Sequence, residues 1–275
     1  MKKILVPTDF SDCAQAAAET AIEIASKANA EIHFLHIFSA PVNWKELRPE
    51  QESLYPEIKK QFHNANTALN ELVKKAKSQG LESEREMLFN EGRSAIDKEI
   101  KEKNYDFVVM GSHGMTADSI LMGSYAQKVV RNSEAPVLVV KSDTNLDTIN
   151  KIVFASDLGE ESDEAFEKVQ NLAALVGAKL KLLYINTPAD FRESDEILNK
   201  IEAFLKRNKA EDIDYSYYDA LDVQRGILQY VGRTSPSMVA MATHGRKGIV
   251  RLLTPSVAEE VVNYSGLPVL SIKVS

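Results

Sequence analysis

The chain carries one pattern twice. Lys3-Ile4-Leu5-Val6-Pro7-Thr8-Asp9-Phe10-Ser11 returns as Lys151-Ile152-Val153-Phe154-Ala155-Ser156-Asp157-Leu158-Gly159, and residues 30–37 return as residues 178–185. Further on, Val109-Met110-Gly111-Ser112-His113-Gly114 returns as Ala240-Met241-Ala242-Thr243-His244-Gly245, and residues 133–138 return as 265–270. Four matches in the same order, separated only by loop-sized differences, predict two homologous domains. We place them at residues 1–141 and 150–275, joined by a polar linker over 142–149. A length of 275 residues suits two domains of ordinary size.

Within each repeat, apolar strand-like runs alternate with helical periodicity. In the first, residues 4–6 read as a buried strand stopped by Pro7 and Asp9, and residues 11–24 as an Ala-rich helix capped by Ser11 or Asp12. Strands are expected at 32–38, 84–90, 107–110 and 137–141, and helices at 56–78, 95–101 and 124–132. Strands separated by helices of this length give right-handed crossovers, hence an α/β fold with a parallel sheet covered by helices on both faces. Residues 39–55, with Pro41, Trp44 and Pro49, read as a long connection lacking a full counterpart in the second repeat.

Composition narrows the class. The net charge of -7 argues against an electrostatic nucleic-acid binder, and no run reaches the ~20 apolar residues of a membrane span. The apolar run after Lys2-Lys3 stops after three residues, shorter than the about 7–15 of a secretory leader. Cys13 is the sole cysteine, so no internal disulfide can form. We therefore expect a cytoplasmic protein. Five histidines without a metal-binding spacing predict no metal site, and no P-loop, dinucleotide fingerprint or nucleophile elbow occurs. No residue is assigned a catalytic role, and any ATP hydrolysis would be slow and incidental.

Ligands of open parallel sheets bind beyond the carboxyl ends of the strands. In the first repeat those ends carry Thr8 and Asp9, then residues 36–38, then residues 111–114, followed by Gly123-Ser124 opening a helix. Glycines admit close backbone approach, and a helix start offers N–H groups to an anion. A phosphate cradle is the natural inference. The bland alternatives are that Asp9 and Asp157 merely cap helices and that Gly111, Gly114 and Gly245 serve tight turns.

Pro7-Thr8-Asp9 after the first strand, Gly111-Ser112-His113-Gly114 after the fourth, and Gly123-Ser124 before a helix leading to Ala135-Pro136-Val137-Leu138-Val139-Val140 resemble the universal stress protein family. The resemblance covers both repeats. It implies five parallel strands per domain in the order 3-2-1-4-5, pairing through strand five, and binding of ATP or AMP in some members. Its nucleotide-binding pattern is Gly-x2-Gly-x9-Gly-(Ser/Thr), whereas here eight residues (115–122) separate Gly114 from Gly123. By resemblance, Pro7, Thr8, Asp9 and Ile37 line the adenosine, with Asp9 accepting from a ribose hydroxyl or the adenine amino group. Met110, Gly111, His113 and Gly114 follow the ribose and phosphates. The N–H groups of Gly123, Ser124 and Tyr125, with the Ser124 hydroxyl, take phosphate oxygens, with Mg if the nucleotide is ATP.

The second repeat departs further. Ala242 replaces the first glycine and Pro255 removes a donor, leaving Asp157, Gly245, Arg246 and Ser256 as weaker candidates. The resemblance implies a regulator in the stress response that binds an adenine nucleotide in the first domain. Nucleotide would order residues 115–122 and change a surface read by a protein partner. The second domain would supply an internal pseudo-dimer, with further homodimerisation open. The alternative is a nucleotide-free interaction module whose loops are vestigial.

Overall fold

A computed structural model describes residues 1–92, 94–113, 122–244 and 257–274. The first repeat runs β1 (Lys3–Pro7), α1 (Asp12–Ala28), β2 (Glu31–Phe38), a short α2 (Pro49–Glu52), α3 (Pro56–Ser78), β3 (Ser83–Phe89), α4 (Ala95–Glu102), β4 (Phe107–Gly111), α5 (Ser124–Asn132) and β5 (Val137–Val140). The second runs β6 (Lys151–Ala155), α6 (Asp163–Val176), β7 (Lys179–Asn186), α7 (Ser194–Arg207), β8 (Asp214–Asp219), α8 (Val223–Thr234), β9 (Met238–His244), α9 (Val257–Tyr264) and β10 (Val269–Val274). No described helix is long and apolar enough to cross a membrane.

All ten strands form one sheet in the order β3-β2-β1-β4-β5-β10-β9-β6-β7-β8. Each half therefore has the expected 3-2-1-4-5 order. The halves join where β5 and β10 pair antiparallel, with Val139 opposite Val269 and Leu138 opposite Leu270. Every other pairing is parallel. The inner strands β1, β4, β5 and β6 read as near-continuous apolar runs because both faces are covered, whereas the edge strands β3 and β8 are more polar. One face packs on α1, α3, α6 and α7 through residues such as Ile22, Leu69, Phe166 and Phe204. The other packs on α4, α5, α8 and α9 through Ile96, Val129, Ile227 and Val261.

Local signals set the helix ends. Ser11 caps α1, its side chain accepting from Ala14 N–H, and Asn29 closes it in the left-handed conformation. The linker is more than a polar tether: Leu146 and Ile149 are buried in the core shared by the halves. Residues 39–55 are also partly ordered by packing. Trp44 is 4% exposed and sits with Phe38, Phe62 and Phe89 in a satellite core over the ends of β2 and β3.

Candidate functional site at the carboxyl ends of β1 and β4

β1 ends in buried Pro7, and the chain turns through Thr8, Asp9 and Phe10 into α1. Phe10 has φ 64°, a left-handed conformation that costs a residue with a Cβ about 1–2 kcal/mol. Side chains hold the turn. Phe10 N–H donates to Thr8 Oγ1 at 3.1 Å and Ser11 N–H to Asp9 Oδ1 at 3.1 Å. Ser11 Oγ lies 2.6 Å from Asp9 Oδ1 and 3.2 Å from the His113 carbonyl, one proton facing two acceptors. Asp9 thus braces the entry to α1 by accepting from Ser11, which is itself the cap and ties that entry to the His113 carbonyl.

His36 completes this corner. Its Nδ1 donates to the Thr8 carbonyl at 2.8 Å, which leaves Nε2 as a lone-pair acceptor in the neutral ring. Its ring lies 4.7 Å from that of Phe10. Burial holds the imidazole below its usual value, against the raising pull of the Thr8 carbonyl and the Asp9 charge. Ile37, next along β2, packs half-buried on the α5 side of the sheet.

On β4, the Met110 side chain is buried in the core, so any ligand would meet its backbone alone. Gly111 also serves the packing of α1. A Cβ there would lie 2.7 Å from the Cys13 backbone carbon and 2.9 Å from Ala14 N, so bare backbone is what lets the first turn of α1 press against β4. In the second repeat Ala242 carries that Cβ, and the helix retreats. Glu160, aligned with Asp12, lies in a single 3-10 turn (Glu160–Ser162), and α6 begins only at Asp163.

His113 follows with Nδ1 2.7 Å from Ser112 Oγ, and Ser112 Oγ lies 3.9 Å from Cys13 Sγ. In the sequence, Ser11, Ser112 and His36 read as a cap and as strand-end residues and are not assigned to a ligand. Their adjacency to Asp9, His113 and Ile37 was the available signal. Gly114 lies outside the described residues, as do residues 115–121.

Met122 and Gly123 lead into α5, with Gly123 at its N-cap position. The Gly123 N–H, expected to take a phosphate oxygen, donates in this structure to the Ser112 carbonyl at 2.9 Å, which ties the start of α5 to the end of β4. Gly123 caps α5 without a side-chain bond. The next N–H groups, of Ser124, Tyr125 and Ala126, have no intrahelical partner by helix geometry. They form the positive end of the α5 dipole. Tyr125 turns half-buried into the core rather than across this end.

The second repeat repeats the turn without the rest. Leu158 has φ 66°, and Asp157 Oδ1 accepts from Gly159 N–H at 3.1 Å and Ser162 Oγ–H at 3.0 Å. Gly245, Arg246 and Ser256 lie outside the described residues. Where Phe38 and Phe89 meet edge-to-face in the Trp44 cluster, the aligned Asn186 and Asp219 hydrogen-bond at 2.7 Å, and Asn186 accepts from Arg192 N–H. A shallow cavity of about 450 Å³ remains beside them, flanked by Phe191 and Leu221.

Two other features lie elsewhere. A cleft of about 750 Å³, lined by Met1, Tyr105, Glu134 and Lys168, opens at the amino ends of β4 and β5, the opposite end of the sheet. Among the described residues, Glu31, His33 and Glu84 bring ligand-type atoms within 4.8 Å of one another. Both His33 nitrogens are engaged, one with Glu31 and the other 2.9 Å from Tyr105 Oη, so this group reads as a hydrogen-bonded cluster at the sheet edge.

Comparison with known proteins agrees with this architecture. Residues 1–141 and 148–273 each match the universal stress protein family. A universal stress protein of Methanocaldococcus jannaschii is 34% identical over 142 residues, covering 51% of this chain and 82% of its own. One of Bacillus subtilis is 30% identical over 145 residues, covering 50% of this chain and 98% of its own. The crystal structure of a universal stress protein from Archaeoglobus fulgidus superposes with a TM-score of 0.75 at 20% identity, covering 98% of both chains, which establishes the shared fold. Two matching repeats, each with the 3-2-1-4-5 strand order and joined through strand five, make this chain a tandem member of the universal stress protein family.

Proposed function

We propose that the first repeat binds an adenine nucleotide, ATP or AMP, and that the protein acts as a cytoplasmic regulator in the stress response rather than as an enzyme. The observation that carries this reading is the start of α5, capped by a glycine and without a side-chain cap among the described residues, beside the Asp9 turn and His113 at the carboxyl ends of β1 and β4. A helix N-terminus without a capping side chain favours a phosphate, whose charge the α5 dipole and the N–H groups of Ser124, Tyr125 and Ala126 stabilise. The Ser124 hydroxyl adds a further donor. With ATP, Mg would accompany the phosphates.

The non-catalytic reading rests on where the polar groups are spent. Asp9 is committed to its own turn, and His113 leans on Ser112. Neither is arranged as a positioned base, and fast hydrolysis needs both a base and an acid that holds metal at the γ-phosphate. A second reading, a nucleotide-free interaction module, is favoured by the Gly123 N–H that Ser112 already takes. Denaturing freshly purified protein and identifying the released small molecules by HPLC and mass spectrometry separates the two. Near-stoichiometric adenine nucleotide supports the first. No released nucleotide, with no heat on titrating millimolar ATP, leaves the second.

A further inference from the structure

The start of α5 is held by the other repeat. The Met122 N–H donates to Asn263 Oδ1 of α9 at 2.7 Å, a bond spanning 141 positions of sequence. The Met122 carbonyl accepts from Gln127 Nε2 at 3.0 Å. Gly123 N–H donates to Ser112 O, and Gly123 O accepts from Gln127 N–H at 3.0 Å. Every backbone polar group of Met122 and Gly123 is therefore fixed, immediately before the N–H groups that would face a phosphate. Met122 is itself 3% exposed, in the core that α5 and α9 share.

The pseudo-twofold makes this arrangement informative. Under it Gln127 corresponds to Glu259 and Arg131 to Asn263. In one half-site Gln127 and Asn263 clamp the Met122 peptide from either side. Their counterparts Glu259 and Arg131 instead bind each other in a two-bond pair at 2.7 and 2.9 Å. Two equivalent pairs of positions thus differ: Gln127 and Asn263 both bond the backbone of Met122, whereas Glu259 and Arg131 bond each other.

Resting on the nucleotide reading above, we propose that Asn263 of the second repeat is a positioning residue for the phosphate end of the first repeat's site, so that the second domain completes the site it does not itself retain. Losing its acceptor frees the Met122 N–H and lets the first turn of α5 shift. A bound phosphate depends on those N–H directions, whereas the adenosine end, at β1 and β2, does not.

The test is calorimetric titration of the full chain with ATP, AMP and adenosine, comparing wild type, Asn263→Ala, Gln127→Ala and Lys141→Met. Lys141 Nζ donates to the Val262 carbonyl, so Lys141→Met loosens the same interface without touching Met122. Asn263→Ala and Gln127→Ala should each bind ATP and AMP about tenfold more weakly, a loss of about 1.4 kcal/mol. Adenosine affinity should stay within about twofold in both, and Lys141→Met should bind all three as wild type does. Equal weakening of adenosine, or the same loss in Lys141→Met, would mean general loosening and overturn the proposal. Unchanged ATP binding by Asn263→Ala overturns it while leaving the nucleotide reading intact. A wild-type protein that binds none of the three ligands defeats both.

Discussion

Gly111 shows how one missing Cβ shapes the site. With backbone atoms of Cys13 and Ala14 under 3 Å from where that Cβ would sit, nothing flexible can yield. Gly111→Ala is expected to cost about 1–3 kcal/mol by overpacking, read as a lower denaturant midpoint at unchanged m. His36 gives a pH signature. Burial depresses its folded-state pKa, so the stability it supports is present above the ordinary histidine value of about 6.5. That stability is lost as pH falls below this value toward the depressed one, because the unfolded chain takes up the proton first. Unfolding followed between pH 8 and pH 5 should lose stability less steeply in His36→Asn than in wild type; identical slopes would show that His36 does not titrate in this window. Of these two residues, sequence flagged Gly111 for a ligand and His36 as a strand-end residue that packs rather than ligates. A glycine at a strand end looks the same whether ligand or helix approaches it, and only the position of α1 separates the two.

At the level of elements, the interface between the repeats rests on β5 and β10 and on α5 against α9. Glu259 is 4% exposed, and Arg131 covers it with two hydrogen bonds while remaining partly exposed itself. Glu259 also raises the Arg131 pKa through those bonds. Arg131→Ala removes two charge-assisted hydrogen bonds from a buried carboxylate and is expected to cost about 2–3 kcal/mol, below the 3–5 of a fully buried pair because Arg131 reaches water. Adding Glu259→Leu should recover most of that loss in the same chemical-denaturation assay; an additive double variant would show that the pair carries no coupling. The elements themselves were legible. Each expected strand and helix of the first repeat is present within a few residues, because the apolar runs and the Ser11 cap state their period and start directly. The covering of β2 and β3 by Trp44 was not legible, since its partners Phe62 and Phe89 lie in separate elements. The Asn263 bond to Met122 was equally hidden, because one polar residue on a helix says nothing of a loop 141 positions away.

For the whole molecule, duplication has produced one continuous ten-stranded sheet with unequal halves. The first repeat keeps Gly111, the tight entry of α1 and the glycine-capped start of α5. The second has a Cβ at Ala242, a helix that begins later and a polar Asn186–Asp219 pair where the first is aromatic. This asymmetry predicts one nucleotide site per chain. The most direct measurement is a calorimetric titration of ATP into the full chain and into Ser124→Pro. Proline is tolerated at the first helical position, and Gly123, at φ -61° and ψ 149°, already has the conformation a following proline requires. The substitution therefore removes one N–H and one hydroxyl from the phosphate end while leaving α5 in place. Wild type should bind one ATP per chain, and Ser124→Pro should bind roughly tenfold to a hundredfold more weakly, as expected for losing one or two charge-assisted hydrogen bonds. Two equivalent sites per chain, or full-affinity binding by Ser124→Pro, would contradict the account.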